Sequence, residues 1–303
     1  MTVPEPTPEQ LQSFLTAAKT AARLGGDELL QWMGKTNVTN KGPRDFVTEA
    51  DLASQRVVTE FLLREFPDHQ LLGEEDLTEN VANQEESGTT ELGGTGAAAK
   101  SESYEEVQQG FWWIVDPLDG TTNYVHQLPG FSVSIGLYWD GEPLVGVVWD
   151  PLLKEMFTAV RGQGASRNGE PISVSECTAI DRAMVVISLS KGVTRGDQQM
   201  GQLIQVLETV GSIRRLGSAA LNLCYVGMGR VDIYWANSLK PWDTAAGSLI
   251  ALESGAVIKP IAKADESDSK DSFTLATSNF ICGCNEPLRQ QMEDMLHAAA
   301  EIG

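Results

Sequence analysis

Residues 113–124, WIVDPLDGTTNY, restrict what this chain can fold into more than any other stretch of it. The apolar run that starts at Phe111 reads as a buried strand, and it delivers Asp116 at its end. Pro117 stiffens the turn, Asp119 lies three residues on, and Gly120-Thr121-Thr122 opens the next element. Two carboxylates at that spacing on a tight turn can point into one space, which is the geometry for bridging hard cations. The amides of Gly120 and Thr121 would face the same space, and backbone N–H groups at a helix start are ready donors to phosphate oxygens. A cation site beside an anion cradle is the minimum for phosphoryl transfer.

The rest of the chain supplies a frame for that turn. Leu11, Phe14, Leu15, Ala18, Ala22, Leu29 and Leu30 recur at helical spacing and predict an amphipathic helix over 7–34, broken by Asn37 to Gly42. A second helix opens at Thr48, an N-cap with Asp51 three residues later, and runs to Pro67 before a short strand in HQLLGEED. Residues 77–110 are dominated by Asn, Glu, Gly, Thr, Ser and Ala. They cannot bury enough apolar surface to offset their ordering entropy, which predicts a mobile, mostly disordered insertion. From Phe131 the pattern alternates, with Val133, Ile135 and Leu137 on one face and Ser132, Ser134 and Gly136 on the other. With hairpin turns at Asp140-Gly141 and Asn168-Gly169, residues 131–175 read as an antiparallel meander. Beyond residue 180, apolar strands at 184–187, 231–234 and 273–276 alternate with helices near 199–209, 218–228, 243–254 and 287–300. The expectation is two packed subdomains, an α+β unit over 1–180 and an α/β unit over 181–303.

Charge and composition narrow the function classes. A formal net charge of −20 removes the clustered Lys and Arg that nucleic acids and anionic lipid surfaces require. The acid excess fits both a solubilising surface and a carboxylate-lined pocket for divalent cations. The first residues, MTVPEPTPEQ, form neither a basic nor an apolar signal region, and no stretch approaches about 18 consecutive apolar residues, so a cytoplasmic protein outside the membrane is expected. Cys177, Cys224, Cys282 and Cys284 are too sparse for a disulfide scaffold and read as free thiols. His69, His126 and His297 are scattered and support neither a zinc site nor a histidine-based phosphatase.

Three motifs, GEED at 73–76, DPLDGTTN at 116–123 and WDTAAG at 242–247, stand in an order that resembles the inositol monophosphatase family. That family belongs to a wider superfamily with fructose 1,6-bisphosphatases and 3′-phosphoadenosine 5′-phosphate phosphatases. The resemblance implies a layered αβαβα sandwich of the inositol monophosphatase / sugar phosphatase type, acting on a small phosphorylated polyol, sugar or nucleotide, and a homodimer. It further implies that Glu74, Asp116 and the Leu118 carbonyl hold one Mg²⁺, that Asp116, Asp119 and Asp243 hold a second, and that a third, weaker ion sits near Glu74. Gly120 and Thr121 match the amides that take the phosphate. Asp51 and Thr121 match the pair that orients the attacking water, with Glu74 beside them in the catalytic set. Ser218 and Ala219 lie in a stretch similar to one lining the family's substrate pocket.

Several of these residues also have plainer readings. Asp51 fits the acidic partner of a Thr48 capping box, and Asp243 fits a carboxylate favoured by a helix N-terminus. Glu75 and Asp76 read as solvated surface acids, and Trp112, Trp113, Trp149 and Trp242 as packing residues. Seven residues before Asp243, inositol-acting members carry a glutamate that reads ring hydroxyls; here Ala236 stands there, followed by Asn237, which offers only a neutral hydrogen bond. The expected activity is Mg²⁺-dependent hydrolysis of inositol 1-phosphate. A 3′(2′),5′-bisphosphate nucleotidase, a fructose 1,6-bisphosphatase and a histidinol-phosphate phosphatase are the alternatives. A non-catalytic interaction protein using the acidic insertion is the rival from another class, and the intact ligand positions argue against it.

Overall fold

A computed structural model of the chain describes residues 5–35, 38–42, 45–75, 109–261 and 272–300. The insertion predicted at 77–110 lies outside the described residues except for Gln109 and Gly110. Helix α1 (Pro8–Trp32) starts where Thr7 caps it, with Gln10 closing a capping box and Pro8 at the first turn. The strands β1 (Val38–Gly42) and β2 (Asp45–Thr48) pair antiparallel, so the segment read as a break between helices is half of a hairpin. Helix α2 (Glu49–Glu65) follows.

Seven strands form the first sheet in the order β3-β4-β5-β6-β7-β8-β9. They are β3 (Gln70–Gly73), β4 (Phe111–Asp119), β5 (Ser132–Trp139), β6 (Glu142–Asp150), β7 (Glu155–Val160), β8 (Ala165–Arg167) and β9 (Glu170–Pro171). β3 runs parallel to β4 and every later neighbour is antiparallel, the meander that the alternation predicts. A short helix, α3 (Thr121–Val125), links β4 to β5.

The second sheet has the order β11-β10-β12-β14-β13, built from β10 (Met184–Ser188), β11 (Ser212–Arg214), β12 (Ile233–Ala236), β13 (Val257–Pro260) and β14 (Phe280–Gly283). Its helices are α4 (Gln198–Thr209), α5 (Ala219–Gly227), α6 (Pro241–Glu253) and α7 (Glu286–Ala300). The strand predicted at 273–276 is not one. Thr274 and Thr277 close a local turn there, through Thr277 N–H to Thr274 O at 2.9 Å and Thr274 N–H to Thr277 Oγ1 at 3.0 Å, while Phe273 and Leu275 still pack inward. The apolar run reads like a strand because burial, not pairing, selects its residues.

Four apolar clusters fix five layers. Phe14, Ala18, Val58 and Leu62 of α1 and α2 cover one face of the first sheet against Trp113, Val133, Ile135 and Val147. Helices α5 and α6 fill the space between the sheets, touching Val148 and Phe157 on one side and Tyr234, Ile258 and Phe280 on the other. Val206 of α4 and Leu288, Met292 and Leu296 of α7 cap the outer face of the second sheet. The result is the αβαβα sandwich anticipated above. At the sheet–helix junction the fit is close: a Cβ on Gly136 would lie 2.9 Å from the Ala245 Cβ of α6. No helix among the described residues is long and apolar enough to cross a membrane.

Candidate active site

The end of β4 is where the strand register slips. Asp116 pairs with Ser134 and Asp119 with Ser132, so the two residues between them bulge out of the ladder and both acids stay on the face that looks toward α5 and α6. The Ser54 hydroxyl of α2 donates to the Pro117 carbonyl at 2.9 Å and pins the bulge from behind. Leu118 N–H donates to Asp116 Oδ1 at 3.0 Å, fixing that carboxylate from within its own turn.

Asp119 is held from the far side of the chain. The Ser218 hydroxyl and the amides of Ala219 (3.0 Å) and Ala220 (2.8 Å) donate to its two oxygens, so this acid caps the N-terminus of α5. Asp243 stands in the first turn of α6 and accepts Lys240 N–H at 2.7 Å. The helix-terminus reading of Asp243 is therefore realised, and its carboxylate also joins the other two. Asp116, Asp119 and Asp243 each offer a carboxylate oxygen, and these atoms lie within 4.8 Å of one another. Glu74, set by its N–H to Val115 O at 3.0 Å, is not in that trio, but its side chain hydrogen-bonds Asp116.

Such a cluster is electrostatically expensive. Burial, followed by repulsion from Glu74, Asp119 and Asp243, holds Asp116 well above the ordinary carboxylate range. Burial also raises Asp119, against the pull of its donors Ser218, Ala220 and Ala219. Asp243 is pushed up to about 7 by burial and by Asp119, with Lys240 and Lys191 pulling the other way. Closely set, mutually repelling carboxylate oxygens are the donor set that a hard divalent ion fits.

A consequence follows for the metal-free protein. Because these acids bind protons more tightly folded than unfolded, stability is greatest near the unfolded carboxylate pKa and falls as pH rises, for Asp243 over a window from about 4 to 7. Thermal melts in chelator should show a Tm lower by about 5 °C or more at pH 8 than at pH 5, and millimolar Mg²⁺ should restore most of it. A flat or rising profile in chelator would contradict this.

The turn after Asp119 is shaped by Gly120, whose φ of 94° and ψ of 32° are left-handed. Thr121 Oγ1 donates to the Leu118 carbonyl at 3.1 Å. Asn123, whose place at the end of the motif carries no role in the sequence reading, bridges Gly130 O and Leu216 O at 2.7 Å each, tying this turn to the loop before Ser218. Asp51 lies apart from the trio. Its Oδ2 accepts Thr48 N–H at 2.9 Å and Thr48 Oγ1–H at 2.6 Å, closing the capping box of α2, and its charge reaches Tyr124 on α3. Ala236 is fully buried, and Asn237 donates from its backbone and its Nδ2 to Ser188 O, at 3.0 and 3.3 Å. Ser218 and Ala219, which the resemblance assigns to the substrate, spend their donors on Asp119.

Glu75 is not a solvated surface acid: it is 6 % exposed. Asp76 lies outside the described residues. Trp112 and Trp113 are buried, Trp149 and Trp242 pack at the edges of the clusters, and all four cysteines are free thiols. His69 sits in an aromatic cage between Phe66 and Phe111, its pKa lowered to about 4 by burial, away from any cation role.

Residues 10–302 match the model of the inositol monophosphatase family. Inositol monophosphatase 2 of Solanum lycopersicum is 37 % identical over 82 % of this chain and 87 % of its own length. A protein of Aquifex aeolicus named fructose-1,6-bisphosphatase/inositol-1-monophosphatase is 34 % identical over 82 % of this chain and 86 % of its own. Among solved structures, the extragenic suppressor protein suhB of Bartonella henselae superposes with a TM-score of 0.77 at 31 % identity, covering 94 % of this chain and 98 % of that one.

Proposed function

This chain belongs to the inositol monophosphatase family and is a phosphoric monoester hydrolase, and on that premise we propose that it releases phosphate from a small phosphorylated polyol, inositol 1-phosphate first, with bound Mg²⁺. The observation that carries the reading is the meeting, within 4.8 Å, of carboxylates from residues 116, 119 and 243, beside a left-handed glycine turn. In this reading Glu74, Asp116 and the Leu118 carbonyl hold one ion, Asp116, Asp119 and Asp243 hold a second, and a third binds weakly near Glu74. When bound, two such ions lower the pKa of a coordinated water and stabilise charge on the leaving oxygen.

The chain's own groups do the rest. The amides of Gly120 and Thr121, at the start of α3, would orient the phosphate. Since the Thr121 hydroxyl spends its proton on Leu118 O, its lone pairs are what it offers to a water proton. Asp51, in the first turn of α2, is the carboxylate that would take the proton, the Thr121 hydroxyl turning from Leu118 O toward it as its lone pair accepts from the water. A homodimer belongs to the same reading and is checked by light scattering.

Substrate preference is set on the other rim. With Ala236 buried and Asn237 engaged by Ser188, no acid stands where the family reads ring hydroxyls, and Ser238, two residues on, is hydrogen-bonded to Ser190 at 2.7 Å. A phosphate-release panel with Mg²⁺ should give turnover of inositol 1-phosphate above that of adenosine 3′,5′-bisphosphate, fructose 1,6-bisphosphate and histidinol phosphate. A preference of more than about tenfold, some 1.4 kcal/mol, for any of the other three would replace inositol 1-phosphate as the substrate.

A further inference from the structure

On β5 the side chains alternate. Val133, Ile135 and Leu137 enter the core under α1 and α2, while Gly136 meets Ala245 of α6 on the opposite face. Ser132 and Ser134 share that second face with the acid cluster. Directly opposed residues of an antiparallel pair project to the same side, with Cβ atoms about 4.5 to 5.5 Å apart. Ser134 therefore stands beside Asp116, and Ser132 beside Asp119.

Ser134 is fully buried, and its Oγ has no hydrogen-bond partner among the described residues. A hydroxyl in that state is unfavourable, and alanine would fill the place without it. The two acids it could serve are unequally supplied. Asp119 already accepts from Ser218, Ala219 and Ala220. Asp116 accepts from Leu118 N–H and shares a hydrogen bond with Glu74.

We propose that Ser134 is a positioning residue whose hydroxyl donates to the Asp116 carboxylate when a divalent cation is bound. Of the two acids Asp116 has the fewer donors, and rotation of the Ser134 hydroxyl supplies one from the strand opposite. Outer partners of this kind orient a ligand, and their loss commonly weakens metal affinity 10- to 100-fold, on the order of one to two decades. The inference rests on the metal reading above.

The test is calorimetric titration of Mg²⁺, and separately Mn²⁺, into the metal-free full-length chain, for the wild type, Ser134→Ala, Ser132→Ala and Asp116→Asn, with thermal melts of each metal-free protein. Ser134→Ala should bind about tenfold more weakly while its metal-free Tm equals or exceeds that of the wild type, since an unpaired hydroxyl is removed. Ser132→Ala should lose less, because Asp119 keeps three donors. Wild-type affinity in Ser134→Ala, or weakening matched by a lower metal-free Tm, overturns the role of Ser134 and leaves the metal reading standing. A wild type that binds neither ion, like Asp116→Asn, overturns both.

Discussion

Replacing Asp116 with asparagine should cut phosphate release by about 10³-fold or more while leaving the metal-free protein at least as stable as the wild type at neutral pH. The two halves of that result have one cause. Asp116 is buried among three other acids, and its charge is opposed by burial first and by Glu74, Asp119 and Asp243 after it. A neutral amide of the same shape keeps an oxygen for Leu118 N–H, so the turn is retained, and it removes repulsion from the fold. What it removes from function is the carboxylate placed between both proposed ion sites. Steady-state kinetics across Mg²⁺ concentration, with melts in chelator, read the two halves separately. A rate within tenfold of the wild type would contradict the assignment, and a large loss of metal-free stability would mean that Asp116 is chiefly a structural residue.

Gly120→Ala should fail in the opposite way, losing both fold stability and turnover. The residue sits at φ 94°, where an L side chain is strained, and a new Cβ would lie 2.7 Å from the Gly130 carbonyl oxygen and 3.1 Å from the Phe131 Cα. Those are backbone atoms, and Asn123 anchors the first of them at 2.7 Å, so neither yields cheaply. We expect a destabilisation of about 2 to 4 kcal/mol by chemical denaturation, from backbone strain plus overpacking. Turnover of the folded fraction should fall by about 10²-fold, because the amides at 120 and 121 shift together. Unaltered denaturation and kinetics would show that this turn is neither tight nor involved with phosphate.

Much of this was legible in the sequence because local constraints and function coincide there. The apolar strand, Pro117, the paired acids and Gly120 fix one another within eight residues, and the alternation from Ser132 to Leu137 reports the faces of β5 directly. The convergence of Asp243 on the same space rested on the family resemblance, since spacing in the chain does not encode a meeting across more than a hundred residues. What local pattern missed was decided by distant partners. Val257–Pro260 becomes a strand because Phe280–Gly283 pairs with it, whereas residues 273–276, more apolar on paper, turn on a threonine pair. Ser218 reads as a substrate contact, yet its partner is an acid ninety-nine residues earlier, a pairing that only the packing of α5 against the first sheet reveals.

The most direct measurement is diffraction from crystals soaked in Mn²⁺, recorded near its absorption edge. The account requires anomalous density bounded by the carboxylates of Asp116, Asp119 and Asp243, at oxygen distances of about 2.1 Å. Saturating Mn²⁺ that leaves that space without anomalous density, or appears only on acids elsewhere on the surface, would contradict it.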